Sequence, residues 1–93
     1  MAKVKTHFEI KNGMLDGLTT FYYPDGQKKE QRSYREGAKY GAWINWSPSG
    51  VKIAEANFLN NQKHGDWFIW DEKGNLRQST WMGSHMHAAN AVD

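Results

Sequence analysis

The sequence predicts an all-β protein, a single-layer antiparallel meander of about seven strands built from β-hairpin repeats of about 24 residues. Three observations favour this fold. Glycines recur at a fixed interval, aromatic residues recur at the same interval, and turn-forming residues divide the chain into segments of strand length. No segment of about ten residues or more shows the 3.6-residue periodicity of an amphipathic helix.

The repeat is carried by glycines and by large apolar side chains. Two sets of three glycines keep the 24-residue step: Gly17, Gly41 and Gly65, and Gly26, Gly50 and Gly74. The apolar sets are Ile10, Tyr34, Phe58 and Met82; Tyr22, Trp46 and Trp70; and Trp43 and Trp67, with Thr19 in the first copy. We therefore place a repeat array over residues 1–82, with repeats at about 10–33, 34–57 and 58–81.

The pattern stops after Met82. Residues 83–93 contain "GSHM", which resembles a cloning scar, and they have neither glycine nor tryptophan where a further repeat requires them. We expect this segment to be a disordered tail or vector-derived residues.

Each repeat has two turns. "YPDG" and "SPSG", which end at Gly26 and Gly50, place proline second and glycine fourth, as a type I turn with a glycine bulge prefers, and "DEKG" keeps the glycine. The second turn is centred on "NG", "EG" or "NN", at residues 12–13, 36–37 and 60–61. Asparagine and glycine tolerate positive φ and suit tight hairpins.

The aromatic side chains are expected on both faces of the sheet. Neighbouring side chains on a strand point to opposite faces, so Trp43 and Trp46, three residues apart, lie on opposite faces. The expected stacks are Phe21, Trp43 and Trp67 on one face, and Tyr22, Trp46 and Trp70 on the other. We expect the glycines at 17, 41 and 65 to leave room for the rings or for the backbone of the next repeat. The tryptophans are then the core of a thin protein, with a dedicated ligand site as the alternative.

The charge balance and the absence of cysteine bear on the partners and the location of the protein. Twelve Lys and Arg against ten Asp and Glu give +2 in 93 residues, which does not favour a nucleic-acid or membrane partner. The chain has no cysteine, which fits a cytoplasmic location, although a removed leader would leave no trace.

No catalytic or metal site is predicted. The phosphate-loop, serine-hydrolase and zinc-protease motifs are absent, and no carboxylate pair keeps the repeat step. His85 and His87 form an H-x-H pair without a third ligand nearby, and His64 occupies a position held by Asp16 and Tyr40 in the other copies. We expect no enzyme, no cofactor and no metal.

The segments "YREGAKYGAWINWSPSG" and "FLNNQKHGDWFIWDEKG" resemble the bacterial variant of the MORN repeat, with spacing similar to that of proteins labelled YwqK-family antitoxins. The resemblance covers about residues 8–82 and departs at Thr19, where tryptophan is usual, and at Asn61, where glycine is usual. It implies a curved single-layer hairpin sheet, protein or lipid contacts, and no catalytic residues.

The expected function is non-catalytic protein interaction, antitoxin-like or immunity-like in one form. A single layer cannot bury both of its aromatic faces against itself, and exposed aromatic patches mark binding surfaces. A homodimer through a sheet edge or the aromatic face is a further expectation. Two alternatives are glycan or small-ligand binding on the tryptophans and anionic lipid contact through "DGQKKEQR", residues 25–32. The candidate binding residues are Tyr22, Trp43, Trp46, Trp67 and Trp70.

Overall fold

The computed structural model describes residues 6–83, and within this range every regular element is a β-strand. The strands are β1 (Thr6–Lys11), β2 (Met14–Tyr22), β3 (Lys28–Arg35), β4 (Ala38–Lys39), β5 (Gly41–Trp46), β6 (Lys52–Leu59), β7 (Gln62–Lys63), β8 (Asp66–Trp70) and β9 (Leu76–Trp81). No helix within residues 6–83 is long and apolar enough to cross a membrane. The expectations for residues 1–5 and 84–93 lie outside the described residues.

All strands belong to one antiparallel sheet. Seven strands follow one another in the order β1-β2-β3-β5-β6-β8-β9, and the two-residue strands β4 and β7 pair with β3 and β6. The Cα atoms extend over 52 × 40 × 10 Å, and the smallest of these dimensions, 10 Å, is the thickness of one layer. The predicted all-β single-layer meander is confirmed. Nine strands are found instead of about seven because regular strand conformation stops at Tyr40 and again at 64–65. These interruptions separate β4 from β5 and β7 from β8.

The turns repeat with the predicted chemistry. Residues 12–13, 36–37 and 60–61 all have positive φ, between 48° and 83°, as a tight two-residue hairpin turn requires. In the other turn type the amide of Gly26 donates to the carbonyl of Tyr23, and Gly50 and Gly74 repeat this bond to Ser47 and Asp71 at 2.9 Å. The same two hydrogen-bonding patterns therefore shape all the hairpins.

The glycines at 17, 41 and 65 have a different role from the one expected. Gly17, Gly41 and Gly65 have φ of +99°, +86° and +69°, a region that side chains with a Cβ rarely adopt. A Cβ at Gly17 would meet the carboxylate of Glu9, and one at Gly41 would lie 3.2 Å from Oγ of Ser33. Glycine is needed for backbone conformation and for these polar neighbours, so the expectation that it makes room for a ring is wrong.

The sheet has no enclosed apolar core. Within residues 6–83 no apolar side chain is fully buried, and the buried side chains are those of Thr19, Thr20 and Ser47. Because one layer covers neither of its own faces, most of the large rings are half-buried by their neighbours within a face, and those of Phe8 and Trp81 are exposed. Stability must therefore come from contacts between adjacent side chains on the sheet surface.

Candidate functional site

One face of the sheet carries a continuous row of aromatic rings, Tyr34, Trp43, Phe58 and Trp67, which we call the ladder face. Successive ring centroids are 5.5, 4.9 and 5.5 Å apart, with interplanar angles of 57°, 52° and 60°. Tilted pairs at this separation contribute about 0.5–1.5 kcal/mol each beyond their buried area. The row links the second repeat to the third.

The two ladder tryptophans are anchored by equivalent hydrogen bonds. The indole Nε1 of Trp43 donates to the carbonyl oxygen of Ser33 at 2.9 Å, and that of Trp67 donates to the carbonyl oxygen of Asn57 at 3.1 Å. Donor and acceptor both advance by 24 residues from one bond to the next. The repeat in the sequence therefore corresponds to one repeated side-chain geometry.

A groove of about 520 Å³ lies on the ladder face between the two tryptophans. Its floor includes Ala54 and Ala56 of β6, which pair across the sheet with Asn45 and Trp43 of β5. Because alanine is short and the flanking tryptophans are large, the middle of the face is recessed. Trp67 and Ile69 of β8 also line the groove, and Ile69 is 48% exposed. The arrangement is an apolar depression with fixed aromatic walls.

Lysine side chains lie over the ladder rings. The ammonium of Lys39 is 5.0 Å from the Trp43 centroid and 5.1 Å from that of Phe58, and the ammonium of Lys63 is 5.2 Å from that of Trp67. These are cation–π distances. Neither lysine has a carboxylate within ion-pair distance among residues 6–83. The ladder face therefore presents positive charge beside the groove that no described carboxylate neutralises.

The backbone of Lys39 is fixed by the next tight turn. Asn61 accepts from the Lys39 amide through Oδ1, and its own amide donates to the Lys39 carbonyl, both at 2.9 Å. One repeat earlier, the equivalent residue Gly37 makes only the backbone bond: its amide donates to the Leu15 carbonyl at 2.7 Å. A glycine at position 61 would lack the Oδ1 acceptor. The departure from the repeat pattern at Asn61 thus holds a ladder-face lysine in place.

The first cation on this face is neutralised. Arg32 donates to Glu30 at 2.7 Å, and this hydrogen bond is the main cause that raises the pKa of Arg32. The guanidinium also lies 4.7 Å from the Phe21 ring centroid and 5.3 Å from that of Trp43. Arg32 thus connects Phe21 of the first repeat to the ladder and occupies the carboxylate of Glu30, which lines the groove.

The reverse face carries Trp46, Trp70 and Phe68. Lys28 lies 5.5 Å from the Trp46 centroid and Lys52 lies 5.0 Å from that of Trp70. Phe68 and Trp70 are 5.3 Å apart. Lys52 is also paired with Glu55 at 2.6 Å.

The five predicted binding residues are therefore divided between the two faces. Trp43 and Trp67 line the ladder-face groove, whereas Trp46 and Trp70 lie on the reverse face, where Tyr22 is the cross-strand partner of Lys28. Phe21 is linked to the ladder through Arg32, and its expected place on the Trp43 face is confirmed.

Sequence reasoning missed the lysines. Lys39 and Lys63 are 24 residues apart, as are Lys28 and Lys52, so the same period that identified the tryptophans also identifies the cations above them. The alanines of the groove floor gave no periodic signal.

Histidine and carboxylate positions form no cluster in the structure. Within residues 6–83 there is no group of three or more His, Cys, Asp or Glu side chains able to hold a metal ion. His64 is half-buried, its amide donates to the Asn57 carbonyl, and its Nδ1 has no partner among the described residues. His85 and His87 lie outside the described residues.

Comparison with known protein families gives one result. The family model described as a MORN repeat variant matches residues 15–36 and 63–80. No curated protein matches the chain, and no solved structure does. The unmatched segment between the two matches contains Gly41, Trp43 and Gly50, whose turns and hydrogen bonds repeat those of the third repeat. Two segments of the chain, 15–36 and 63–80, are therefore similar to a MORN repeat variant.

Proposed function

We propose that this protein is a non-catalytic protein-interaction module and that its binding surface is the ladder-face groove. The observation that supports the proposal is the recess over Ala54 and Ala56 between two anchored tryptophans, on a face that no second layer of residues 6–83 covers. Such a recess accepts an apolar side chain of a partner without rearrangement. The MORN-type repeats favour a binding module in general.

The groove has the composition of an interaction site. Interfaces gain most of their affinity from a few aromatic anchors in well-packed pockets, surrounded by a polar rim. Trp43 and Trp67 are held by hydrogen bonds and cannot collapse onto the alanines, so the recess is present before binding. Asn45, Gln78 and Lys63 supply the polar rim.

The other candidate functions have less support. Stacking a sugar ring on an indole requires an open ring face, but lysines lie over Trp43, Trp67, Trp46 and Trp70. The basic residues of the 25–32 segment are divided between Trp46, Tyr23 and Glu30, which leaves no cluster of the four to eight cations that anionic lipid recognition uses.

Self-association is a second candidate, favoured by the first edge strand. β1 is exposed along its whole length and has one neighbour, β2, within the described sheet. Phe8 and Ile10 of β1 are 51% and 58% exposed. A second copy that adds its own β1 would cover them. Sedimentation of the purified chain tests this: a dimer that Ile10→Lys converts to a monomer supports it, and a wild-type monomer contradicts it.

Affinity capture with matched variants tests the main proposal. Ala56→Arg fills the groove, whereas Ala42→Arg places the same side chain on the reverse face of the neighbouring strand, since Ala42 is next to Trp43. We expect wild type and Ala42→Arg to capture the same partner from host lysate, and Ala56→Arg to lose it although its circular dichroism is unchanged. Equal capture by both variants, or capture of nothing by the wild type, would contradict the proposal.

An antitoxin-like or immunity-like role is the special case in which that partner is a toxic protein. Co-expression of the captured partner with wild type and with Ala56→Arg decides this case, because only the wild type should restore growth. The expected cytoplasmic location stays a prediction.

A further inference from the structure

The ladder face carries an excess of positive charge at the edge of an apolar groove. Glu30, the ladder-face carboxylate that lines the groove, is paired with Arg32 at 2.7 Å, and Glu55, which the register places on the reverse face, is paired with Lys52 at 2.6 Å. Lys39 and Lys63 have no such partner among residues 6–83. The unneutralised charge around the groove therefore comes from these two ammonium groups.

Both ammonium groups are positioned before a ligand binds. The Lys39 backbone is held by Asn61, and its side chain lies over two ladder rings. Lys63 pairs across the sheet with Phe58 and lies over Trp67. An ammonium has three N–H donors, and contact with a ring face leaves donors directed to solvent. A carboxylate can therefore bind each lysine while the ring contact is kept.

The spacing of the lysines matches an extended peptide. Lys39 continues into β5 and Lys63 into β8, which are two strand spacings apart, or about 10 Å. In a polyproline II segment, which has three residues per turn and rises about 3.1 Å per residue, carboxylates three residues apart lie on the same side and are separated by about 9 Å. The alanine floor lies on β6, between these two strands.

We propose that the groove binds an acidic-apolar segment of a partner protein in the polyproline II conformation, with two carboxylates three residues apart on Lys39 and Lys63 and an apolar side chain over Ala54 and Ala56. This proposal rests on the function proposed above and names the chemistry of the partner. The apolar side chain supplies buried area, and the two carboxylates fix the position of the segment along the stacking direction of the strands.

Two unpaired cations favour a peptide over a polyanion. Nucleic acids and anionic membranes are bound through many cations over an extended surface, whereas the described residues around the groove present two free cations with an apolar recess between them. An acidic segment that also carries apolar side chains complements both features.

Fluorescence anisotropy with the full chain and labelled hexapeptides tests the proposal. The acidic probe has two aspartates three positions apart with two leucines between them, and the neutral probe has asparagine in place of each aspartate. We expect the acidic probe to bind at least about tenfold more tightly than the neutral one, because hydrogen bonds to charged groups are stronger than neutral ones. Raising the salt concentration should reduce this difference.

Matched double variants identify the lysines. Lys39→Gln with Lys63→Gln should weaken the acidic probe by about tenfold or more. Lys28→Gln with Lys52→Gln is the control, since this pair has the same spacing and also lies over tryptophans, on the reverse face. Thermal melts of both variants show whether the fold is kept.

The outcomes separate the two proposals. Equal binding of both probes, with loss of both in Ala56→Arg, overturns the acidic preference and leaves the groove as a protein site. Equal losses in the two lysine double variants, or no binding of either probe, also overturn this inference, whereas the proposed function is decided by the capture experiment. Weaker binding of the acidic probe by Lys39→Gln with Lys63→Gln, but not by Lys28→Gln with Lys52→Gln, supports the inference that the groove binds an acidic segment.

Discussion

The indole of Trp43 donates to the same carbonyl oxygen, that of Ser33, that accepts the amide of Tyr40, with distances of 2.9 and 3.0 Å. One repeat later, Trp67 and His64 share the carbonyl of Asn57 in the same way. The two acceptors lie on β3 and β6. Each is opposite the gap between two successive strands, β4 and β5 in the first case and β7 and β8 in the second. Each acceptor ties its ladder tryptophan to the strand interruption, so ring position and backbone shape depend on each other.

Replacing a ladder tryptophan by phenylalanine should cost more stability than the same change on the reverse face. Trp43→Phe removes the indole donor, and the lost hydrogen bond should lower the free energy of unfolding by about 0.5–1.5 kcal/mol. Trp46→Phe is the control, since the Trp46 indole makes no hydrogen bond within the described residues. Urea unfolding should give a lower unfolding free energy for Trp43→Phe, by about 1 kcal/mol relative to the control. Equal losses would show that the bond contributes nothing.

Replacing Gly17 or Gly65 by alanine should destabilise the protein to different extents. At Gly65 the expected cost is about 1–2 kcal/mol, because alanine would adopt positive φ while its Cβ, 3.7 Å from that of Asn57, fits. At Gly17 the Cβ would also displace the Glu9 carboxylate, which accepts the Leu18 amide at 2.7 Å. Chemical unfolding of both variants should rank Gly17→Ala as the less stable, and the opposite order would contradict this account of the glycines.

The tight turn at 36–37 contains a residue poorly suited to it. Glu36 has φ of +49°, where Asn12 and Asn60 occupy the equivalent positions at +51° and +48°. Glu36→Asn should stabilise the fold by about 1 kcal/mol, because asparagine tolerates left-handed φ better than glutamate. Glu36→Gln is the control, since it removes the charge without relieving the backbone. A rise in melting temperature for both variants would assign the effect to charge.

The turn that begins at Asp71 should make stability sensitive to acid. Asp71 Oδ1 accepts the amides of Asn75 and Lys73, both at 2.9 Å, and these bonds, led by that of Asn75, lower the pKa of Asp71. A pKa lower in the folded state than in the unfolded state adds stability that is present above the unfolded pKa and is lost as the pH falls through the folded one.

Unfolding of wild type and Asp71→Asn as a function of pH measures this effect. Below the ordinary aspartate pKa of 3.8, wild type should lose more unfolding free energy than the variant. Parallel curves for the two proteins would show that Asp71 has the same pKa in both states.

Much of the fold follows from periodicity alone. The glycines at 26, 50 and 74 and the asparagines at 12 and 60 predict the turns, because local φ requirements leave few residue types acceptable there. Alternation along the strands then separates Trp43 from Trp46. These features depend on residues close in sequence, and so one sequence suffices to predict them.

The parts that sequence could not predict depend on contacts between repeats. The positive φ of Gly41 and Gly65 accompanies strand interruptions, and that of Gly17 accompanies the irregular pairing of β2 with β1; no local motif marks either feature. The groove requires knowing that Ala56 pairs with Trp43, which is a matter of register. The lysines above the rings were missed because a surface lysine is ordinarily solvated, and only the sheet geometry brings Lys39 over Trp43 and Phe58.

Hydrogen exchange of the five tryptophan indoles by NMR tests the central claim, that the 24-residue unit is a physical repeat in which Trp43 and Trp67 occupy equivalent anchored sites. The indole N–H groups of these two residues should exchange slowly and at similar rates. Those of Trp46, Trp70 and the 68% exposed Trp81, which lack acceptors within residues 6–83, should exchange fast. Fast exchange at Trp43 or Trp67, or clearly different rates for the two, would contradict the claim.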